Sequence, residues 1–454
     1  MKELDLTQGS VPKVLLQFAV PFLIANVLQA LYGGADLFVV GQYDDSASVA
    51  AVAIGSQVMQ TITGIILGIT TGTTVLIAID TGAKDNRKVA FTIGSSVWLF
   101  SITGVVLTLV MVLFHSRIAE LMHTPVEAMV DTKNYILVCS LGILFIVGYN
   151  VVCGILRGLG DSKTPLYFVG LACVINIVLD FILVGYFQWG AAGAAIATVS
   201  AQGVSFGIAL WFLYRHGFHF DFSRKDIRLN RNLSKKILVL GAPIALQDAL
   251  INVSCLIITV IVNQMGVIAS ASLGVVEKII VFAMLPPMAI SSAVATMTAQ
   301  NYGAGLIKRM NKCLASGIGI ALVFGVSVCV YSQFLPETLT AFFTKDAAVV
   351  AMAADYLRGY SIDCIVVSFV FCINSYFSGQ GNSLFPMIHS LIATFLFRIP
   401  LSYWFSQIDS SSLFIMGFAP PISTVVSLLI CIWYLRYTQR KLYLRGTMMP
   451  AMSN

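Results

Sequence analysis

The sequence predicts an all-α integral membrane protein whose twelve transmembrane helices form two six-helix bundles. Three observations indicate this fold class: an apolar composition, twelve long apolar segments, and a repeat that relates the two halves of the chain. Of the 454 residues, 58% are hydrophobic and 11% are charged, whereas a typical soluble domain has roughly 25% charged residues. This composition excludes soluble globular, disordered and fibrous proteins.

Each of the twelve segments is long enough to cross the roughly 30 Å hydrocarbon core of a bilayer. The second and the eighth are the longest, about 50 Å each at the helical rise, which predicts single tilted helices that extend beyond the core. The first is too long and too polar for a cleaved signal peptide, so we expect it to be retained. The segments are 14–40, 47–79, 89–114, 134–156, 164–186, 191–214, 236–262, 267–299, 313–334, 356–377, 384–405 and 413–437.

The basic residues support this count and indicate an orientation. If both termini lie on one side, 21 of the 27 Lys and Arg residues fall on that side, four fall on the other, and Lys278 and Arg398 lie within spans. Cytoplasmic loops carry such an excess, so we expect a cell-membrane protein with both termini in the cytoplasm. The net charge of +6 then reflects topology, and no nucleic-acid partner is expected. We expect a monomer whose partners are small organic substrates and the lipid bilayer.

The two halves share three landmarks, and the members of each pair are separated by a nearly constant interval along the chain. These pairs are Pro21 with Pro243, Gly82-Ala83 with Gly303-Ala304, and the string 158–165 with 379–386. The repeat predicts an N-terminal bundle over 1–214, a cytoplasmic linker over 215–235 and a C-terminal bundle over 236–454. Because each half has an even number of spans, a pseudo-two-fold axis along the membrane normal should relate them around a central cavity. This architecture is typical of alternating access.

Polar residues inside the spans are costly and therefore mark candidate functional positions. In span one, Asn26, Gln29, Gly33 and Asp36 share one helical face, with Tyr32 beside it. In the same span, Pro21 lacks an amide hydrogen and clashes with the preceding turn, which predicts a helix that is kinked or bends there. Bending coupled to ion binding at Asp36 and a static kink are the two interpretations.

The N-terminal half is predicted to contain the ion-coupling site. Asn176 and Asp180 share one face of span five, and Asn150 and Thr198 add polar groups from spans four and six. Because two nearby carboxylates in a low dielectric cannot both ionise cheaply, uptake of H⁺ would relieve the pair. Alternatively, Na⁺ would be held by Asp36, Asn176 and Asp180. The competing interpretation is that these side chains only hydrogen-bond neighbouring helices.

The C-terminal half lacks this arrangement but has its own ionisable residues. Asp248, Glu277, Asp363 and Arg398 lie within its spans and are predicted to form either a substrate-binding or a charge network. Arg398 should pair with a carboxylate, and Glu277 or Asp363 is the expected partner. A neutralised ion-pair network that fixes helix packing is the alternative.

An enzyme is not expected, and neither is a cofactor beyond the coupling ion. The string Gly158-Leu-Gly-Asp161 matches the GxGD motif of intramembrane aspartyl proteases. However, Asp161 falls in a short turn and its repeat partner is Asn382, as suits a turn residue. A flippase for lipid-linked saccharides is the other alternative, but such a protein needs a cationic cavity.

The chain resembles the multidrug and toxic compound extrusion (MATE) family over essentially its whole length. The resemblance rests on RGLGDSKTP from Arg157 to Pro165 followed by Asn176 and Asp180, on the Pro21-to-Asp36 helix, and on AQNYGA from Ala299. It implies cation-driven antiport, in which H⁺ or Na⁺ enters as organic, often cationic and amphipathic, compounds leave.

The resemblance also assigns roles to individual positions. Asp36, Asn176, Asp180 and Thr198 fall where one prokaryotic branch places its coupling site around a bending first helix. Another branch uses an acidic pair in the seventh and tenth helices, and Asp248 and Asp363 lie near those places. Related folds in the same superfamily flip lipid-linked saccharides.

Overall fold

A computed structural model describes residues 4–408 and 412–448, and it confirms the predicted fold class. Over these residues there is no strand, eleven helices are long and apolar enough to cross a membrane, and one bent helix pair makes a twelfth span. The spans are α1 (Val11–Tyr43), α2 (Ser46–Gly82), α3 (Asn86–Leu121), α4a (Met129–Leu141) with α4b (Ile143–Gly158), α5 (Lys163–Tyr186), α6 (Gly190–His216), α7 (Arg231–Asn263), α8 (Val267–Gly303), α9 (Ile307–Phe334), α10 (Ala347–Gly379), α11 (Leu384–Ile408) and α12 (Ala419–Met448).

The two longest predicted spans are single helices, and span four is broken. Helices α2 and α8 each have 37 residues. Between α4a and α4b the axis bends by 48° at Gly142, where a side chain would collide with Val199 of α6. Gly142 therefore allows the close approach of α6 at the place where the span bends. Helix α1 runs without interruption through Pro21.

Packing divides the chain into two compact units. Unit 1 comprises the residues up to Ala249 together with Thr296–Met310 and Gly379–Gly381, and unit 2 comprises Leu250–Ala295, Asn311–Ser378 and the residues from Asn382 onward. This division follows spatial proximity rather than the sequence repeat, so the boundaries predicted for the two bundles remain a prediction.

In unit 1, α2 lies at the centre and packs against α1, α3, α4b and α6. Its small residues allow unusually close approach: a side chain at Gly68 would overlap the backbone of Ala245, and one at Gly72 would overlap that of Gly241, both on α7. Close backbone contact through glycine is a common way to pack helices in membranes.

The ends of α2 and α8 meet in unit 1 through a reciprocal contact. A side chain at Gly82 would overlap the carbonyl of Gln300, and a side chain at Gly303 would overlap the carbonyl of Ile79. In the alignment of the two halves, Gly82 corresponds to Gly303 and Ile79 corresponds to Gln300. The repeat predicted from the sequence is thus visible as a local two-fold contact.

The segment that precedes α1 is held against the same region. Leu6 is fully buried, and the guanidinium of Arg309 donates hydrogen bonds to the carbonyls of Leu6 (3.3 and 3.4 Å), Gln8 (2.5 Å) and Gly9 (2.7 Å). The amide of Asn301 donates to the Leu6 carbonyl at 3.1 Å. We call residues 4–9 with Arg309 and Asn301 the N-terminal clamp.

Unit 2 has its own apolar core. Buried side chains from the end of α7, from α8 and from α10 pack together with Leu413 and Met416, which precede α12. Within this core the rings of Tyr356 and Tyr360 stack with centroids 6.2 Å apart.

Candidate functional site

Unit 1 brings four of the predicted coupling residues together. Asp36 comes from α1, Asn176 and Asp180 from α5, and Thr198 from α6. Asp36, Asn176 and Asp180 are 4%, 1% and 0% exposed. The hydroxyl of Thr198 donates to Oδ2 of Asp36 at 3.1 Å, and the amide of Asn176 donates to that hydroxyl oxygen at 3.4 Å. One hydrogen-bonded chain therefore joins three helices.

Asp36 and Asp180 lie close to each other within this site, and both carboxyl groups are buried. Neither forms an ion pair with a Lys or Arg of the described chain. Two nearby carboxylates in a low dielectric cannot both ionise cheaply. The described residues thus leave the pair without a cationic partner.

The unsatisfied atoms of the site are all oxygens. Oδ1 of Asp36, Oδ1 of Asn176 and both carboxyl oxygens of Asp180 are buried and lack a donor among the described residues. Unpaired buried acceptors are costly, and hard cations prefer oxygen ligands. The oxygen set therefore fits a proton or Na⁺. In the described ranges no cluster of three or more His, Cys, Asp or Glu residues is suited to a metal ion.

Asn150 is buried but does not join this network. Its side-chain amide donates to the carbonyl of Ile146, one turn earlier in α4b, at 2.7 Å. This contact satisfies the amide within its own helix.

Two further polar residues border the site. Gln202 lies four residues after Thr198 on α6, and its amide donates to the hydroxyl of Tyr32 at 3.4 Å. Tyr32 lies four residues before Asp36, so both bordering residues share a helical face with a member of the site. The sequence indicated Tyr32, but Gln202 was missed because a single Gln in an apolar helix carries no distinctive signal.

The helix that carries Asp180 changes its hydrogen-bonding pattern directly after this residue. Residues Phe181–Tyr186 form a π-helical segment, and α11 contains a second one, Ala393–Arg398, which ends at Arg398. Such segments are rare and occur frequently at functional sites. Both mark places where a span departs from regular geometry beside an ionisable side chain.

Pro21 lies in the part of α1 that contacts α4b. The guanidinium of Arg157, in the last turn of α4b, stacks over the ring of Phe22 at 5.2 Å. This cation–π contact fixes the first helix next to the residue that interrupts its hydrogen bonding. Whether α1 bends there during transport remains a prediction.

The ionisable residues predicted in the C-terminal half are dispersed. Asp248 falls in unit 1, whereas Glu277, Asp363 and Arg398 fall in unit 2. Neither of the partners predicted for Arg398 forms a direct ion pair with it, because within the described residues no carboxylate lies within 4.0 Å of its guanidinium. Asp363 is buried, and one of its carboxyl oxygens has no hydrogen-bond partner among the described residues.

Unit 2 also contains a buried polar cluster that the sequence did not reveal. His389 of α11 is 1% exposed; its Nδ1 lies 2.8 Å from the Ser427 hydroxyl and its Nε2 lies 2.8 Å from Oδ1 of Asn374. Cys431 Sγ lies 3.4 Å from Nε2. The repeat position of His389 is Phe168, so comparing the repeats could have indicated it.

Asp161 caps a helix and does not face a second carboxylate. Its Oδ1 accepts hydrogen bonds from the backbone amides of Lys163 and Thr164, both at 3.0 Å, and its Oδ2 accepts the Thr164 hydroxyl at 2.5 Å. Its repeat partner Asn382 accepts the amide of Phe385 at 3.4 Å. In each half the preceding turn contains a glycine at positive φ, +98° at Gly160 and +84° at Gly381. The GxGD string is therefore a turn and cap.

Comparisons with known proteins agree with this arrangement. The MatE family model matches residues 21–182 and 243–404, one segment of equal length in each half of the chain. The chain is 29% identical over 407 residues to the probable multidrug resistance protein YpnP of Bacillus subtilis, covering 89% of this chain and 91% of that protein. It is 27% identical over 402 residues to the probable multidrug resistance protein NorM of Thermotoga maritima, covering 86% and 85%.

Solved structures share the fold. One described as the outward-facing conformation of a multidrug resistance MATE family transporter of the MOP superfamily superposes with a TM-score of 0.91 at 23% identity. The superposition covers 97% of this chain and 99% of that chain.

Proposed function

Because the chain belongs to the MATE family of transporters, we propose that it is a secondary antiporter that exports small organic compounds in exchange for H⁺ or Na⁺. Members of this family are multidrug transporters and not enzymes, they need no cofactor, and the chain is a multi-pass membrane protein. The proposed location is the cell membrane, with both termini in the cytoplasm, as the distribution of basic residues indicates.

The observation that carries the proposal is the buried Asp36–Asp180 pair without a cationic partner. When both carboxylates are charged, they repel each other in a low dielectric, and the hydroxyl of Thr198 donates to Asp36 but not to Asp180. A proton on either group converts the repulsion into a hydrogen bond. Na⁺ would have the same effect through the free oxygens of Asp36, Asn176 and Asp180. Cation binding thus draws α1 and α5 together.

This contraction gives a route from ion binding to transport. Asp36 lies beyond Pro21 on the same helix, α1, about four turns away. Movement of Asp36 displaces the part of α1 that follows Pro21, where the helix lacks one backbone hydrogen bond. In the proposed cycle, cation binding shifts this part of α1 and displaces the substrate, and the empty transporter returns to the opposite orientation.

The substrate class is supported by the relatives. Similar proteins carry names such as multidrug export protein MepA of Staphylococcus aureus, which is 25% identical over 380 residues. We propose that this chain likewise carries small organic, in particular cationic and amphipathic, compounds, and that it does so as a monomer. The alternative, a flippase for lipid-linked saccharides, would use Arg398, which has no ion-pair partner in the described chain, to bind an anionic group.

The test is efflux from proteoliposomes that contain the purified full chain, with an imposed pH or Na⁺ gradient and a cationic dye. Asp36→Asn and Asp180→Asn should reduce gradient-driven efflux to background, because each removes one charge that the cation neutralises. Asp131→Asn, in the first turn of α4a, is the matched control and should transport as the wild type does. Wild-type efflux by Asp36→Asn would remove this residue from the mechanism.

Asn176 separates the two candidate ions. Its free oxygen is a ligand that Na⁺ would use and that a proton on the carboxyl pair does not need. Asn176→Ala should therefore weaken Na⁺-driven efflux far more than efflux driven by a pH gradient if Na⁺ is the coupling ion. Equal losses under the two gradients would contradict Na⁺ binding at Asn176.

A further inference from the structure

The linker between the two halves is fixed to the side of α3. The indole N–H of Trp98 donates to the carbonyl of Ile227 at 3.1 Å, and a side chain at Gly94 would overlap the carbonyl of Asp226. Before these contacts, Phe218, Phe220 and Phe222 pack against one another and against the core of unit 1. The linker is thus a docked element.

Asp226 organises the turn of the linker. Its Oδ2 accepts the backbone N–H and the hydroxyl of Ser223, both at 2.9 Å, and its Oδ1 forms an ion pair with Arg87 of α3 at 3.3 Å. The carboxylate is therefore engaged on both oxygens, and its direct ion pair is with Arg87.

Two arginines share one aromatic ring at this place. The guanidinium of Arg87 lies 4.5 Å and that of Arg228 lies 5.2 Å from the centroid of Phe91. In the part of the chain that the structure covers, Arg228 has no carboxylate within 4.0 Å. Residues 215–236 contain seven basic and two acidic residues, so the surroundings are positive. Stacking on the ring limits the motion of both guanidinium groups.

The position of this cluster along α3 matches the lipid headgroup layer. The uncharged stretch Val89–Phe114 is about 39 Å long at the helical rise, which exceeds the roughly 30 Å hydrocarbon core. Trp98 is 43% exposed, as is typical of an interfacial Trp. Phe91 lies about 11 Å before Trp98 along the helix, in the part of α3 that extends beyond the core. Next to the cluster, Leu229 is 48% exposed.

We propose that Arg87, Phe91 and Arg228 form a binding site for the phosphate of an anionic phospholipid, such as phosphatidylglycerol, on the predicted cytoplasmic face. Guanidinium groups bind phosphate through paired N–H donors, and the ring holds two of them in position. The exposed apolar side chains beside the cluster contact the acyl chains. A lipid bound there bridges α3 and the linker between the halves.

The test is thermal unfolding of the purified full chain in neutral detergent, titrated with phosphatidylglycerol or phosphatidylcholine. The wild type should be stabilised more by phosphatidylglycerol. Arg228→Gln should weaken the apparent affinity for phosphatidylglycerol about fivefold, while its unfolding in phosphatidylcholine stays unchanged because the Arg87–Asp226 ion pair remains. Arg87→Gln/Arg228→Gln should abolish the preference.

The matched control is Arg117→Gln at the other end of α3, where the side chain is 80% exposed; it should keep the wild-type affinity. Wild-type affinity in Arg228→Gln, or an equal loss in Arg117→Gln, would overturn the site. A wild-type protein that glycerol 3-phosphate stabilises as much as phosphatidylglycerol would show a site for soluble phosphates and overturn the assignment to lipid.

Discussion

Replacing Arg309 by Gln should release the N-terminal clamp. The guanidinium donates four hydrogen bonds to three backbone carbonyls, and Gln can keep only one of these contacts. A hydrogen bond from a charged group contributes about 1.5–3 kcal/mol, and the half-buried position reduces this to roughly 1 kcal/mol for each acceptor lost. The local opening of residues 4–9 should therefore become easier by about 2 kcal/mol.

Amide hydrogen exchange measures this opening directly. In Arg309→Gln, exchange in the peptide that covers residues 4–9 should accelerate about 30-fold, because each 1.4 kcal/mol changes the open population tenfold. Helices away from the clamp should exchange as in the wild type. Lys308→Gln is the matched control, since it removes the same charge from an exposed neighbour. Unchanged exchange in Arg309→Gln, or equal acceleration in Lys308→Gln, would refute the reasoning.

The close approach at Gly82 predicts opposite effects of the same substitution within α2. Gly82→Ala should lower the unfolding temperature, because the new methyl group would overlap the Gln300 carbonyl. Gly64→Ala meets open space and should raise the unfolding temperature through a helix propensity gain of about 1 kcal/mol. A lowered unfolding temperature in Gly64→Ala together with an unchanged one in Gly82→Ala would contradict the packing. In the linker, hydrogen bonds from the backbone and hydroxyl of Ser223 lower the pKa of Asp226. Its contribution to docking is therefore fully present above the ordinary Asp pKa of about 3.9 and is lost as the pH falls through the lowered value. Exchange protection of residues 218–228 should be constant from about pH 7 to 5 and fall below about pH 4, whereas Asp226→Asn should show weaker protection without this fall.

The sequence predicted the spans and most of the site because both follow from helical periodicity. Asn176 and Asp180 are four residues apart, so any helix places them on one face, and burial of a carboxylate in an apolar span already marks it as exceptional. The repeat indicated which turns correspond, and the structure shows Asp161 and Asn382 in the same capping role. These features depend on local spacing alone.

The features that were not predicted depend on contacts between helices. Gly142 lies against Val199 of another span, and Gln202 joins the site through Tyr32. In the described chain Arg398 forms no ion pair with Glu277 or Asp363. No sequence rule places these partners, since each is set by how two spans rotate against each other.

The contact between the ends of α2 and α8 has an implication for the origin of the chain. Gly82 meets the carbonyl of Gln300 as Gly303 meets that of Ile79, which is the isologous pattern of a symmetric dimer. In a homodimer of a six-helix ancestor, a single glycine position, present once in each copy, would form both of these contacts. Gene fusion would then preserve the junction, after which each glycine is under separate selection for the same steric reason.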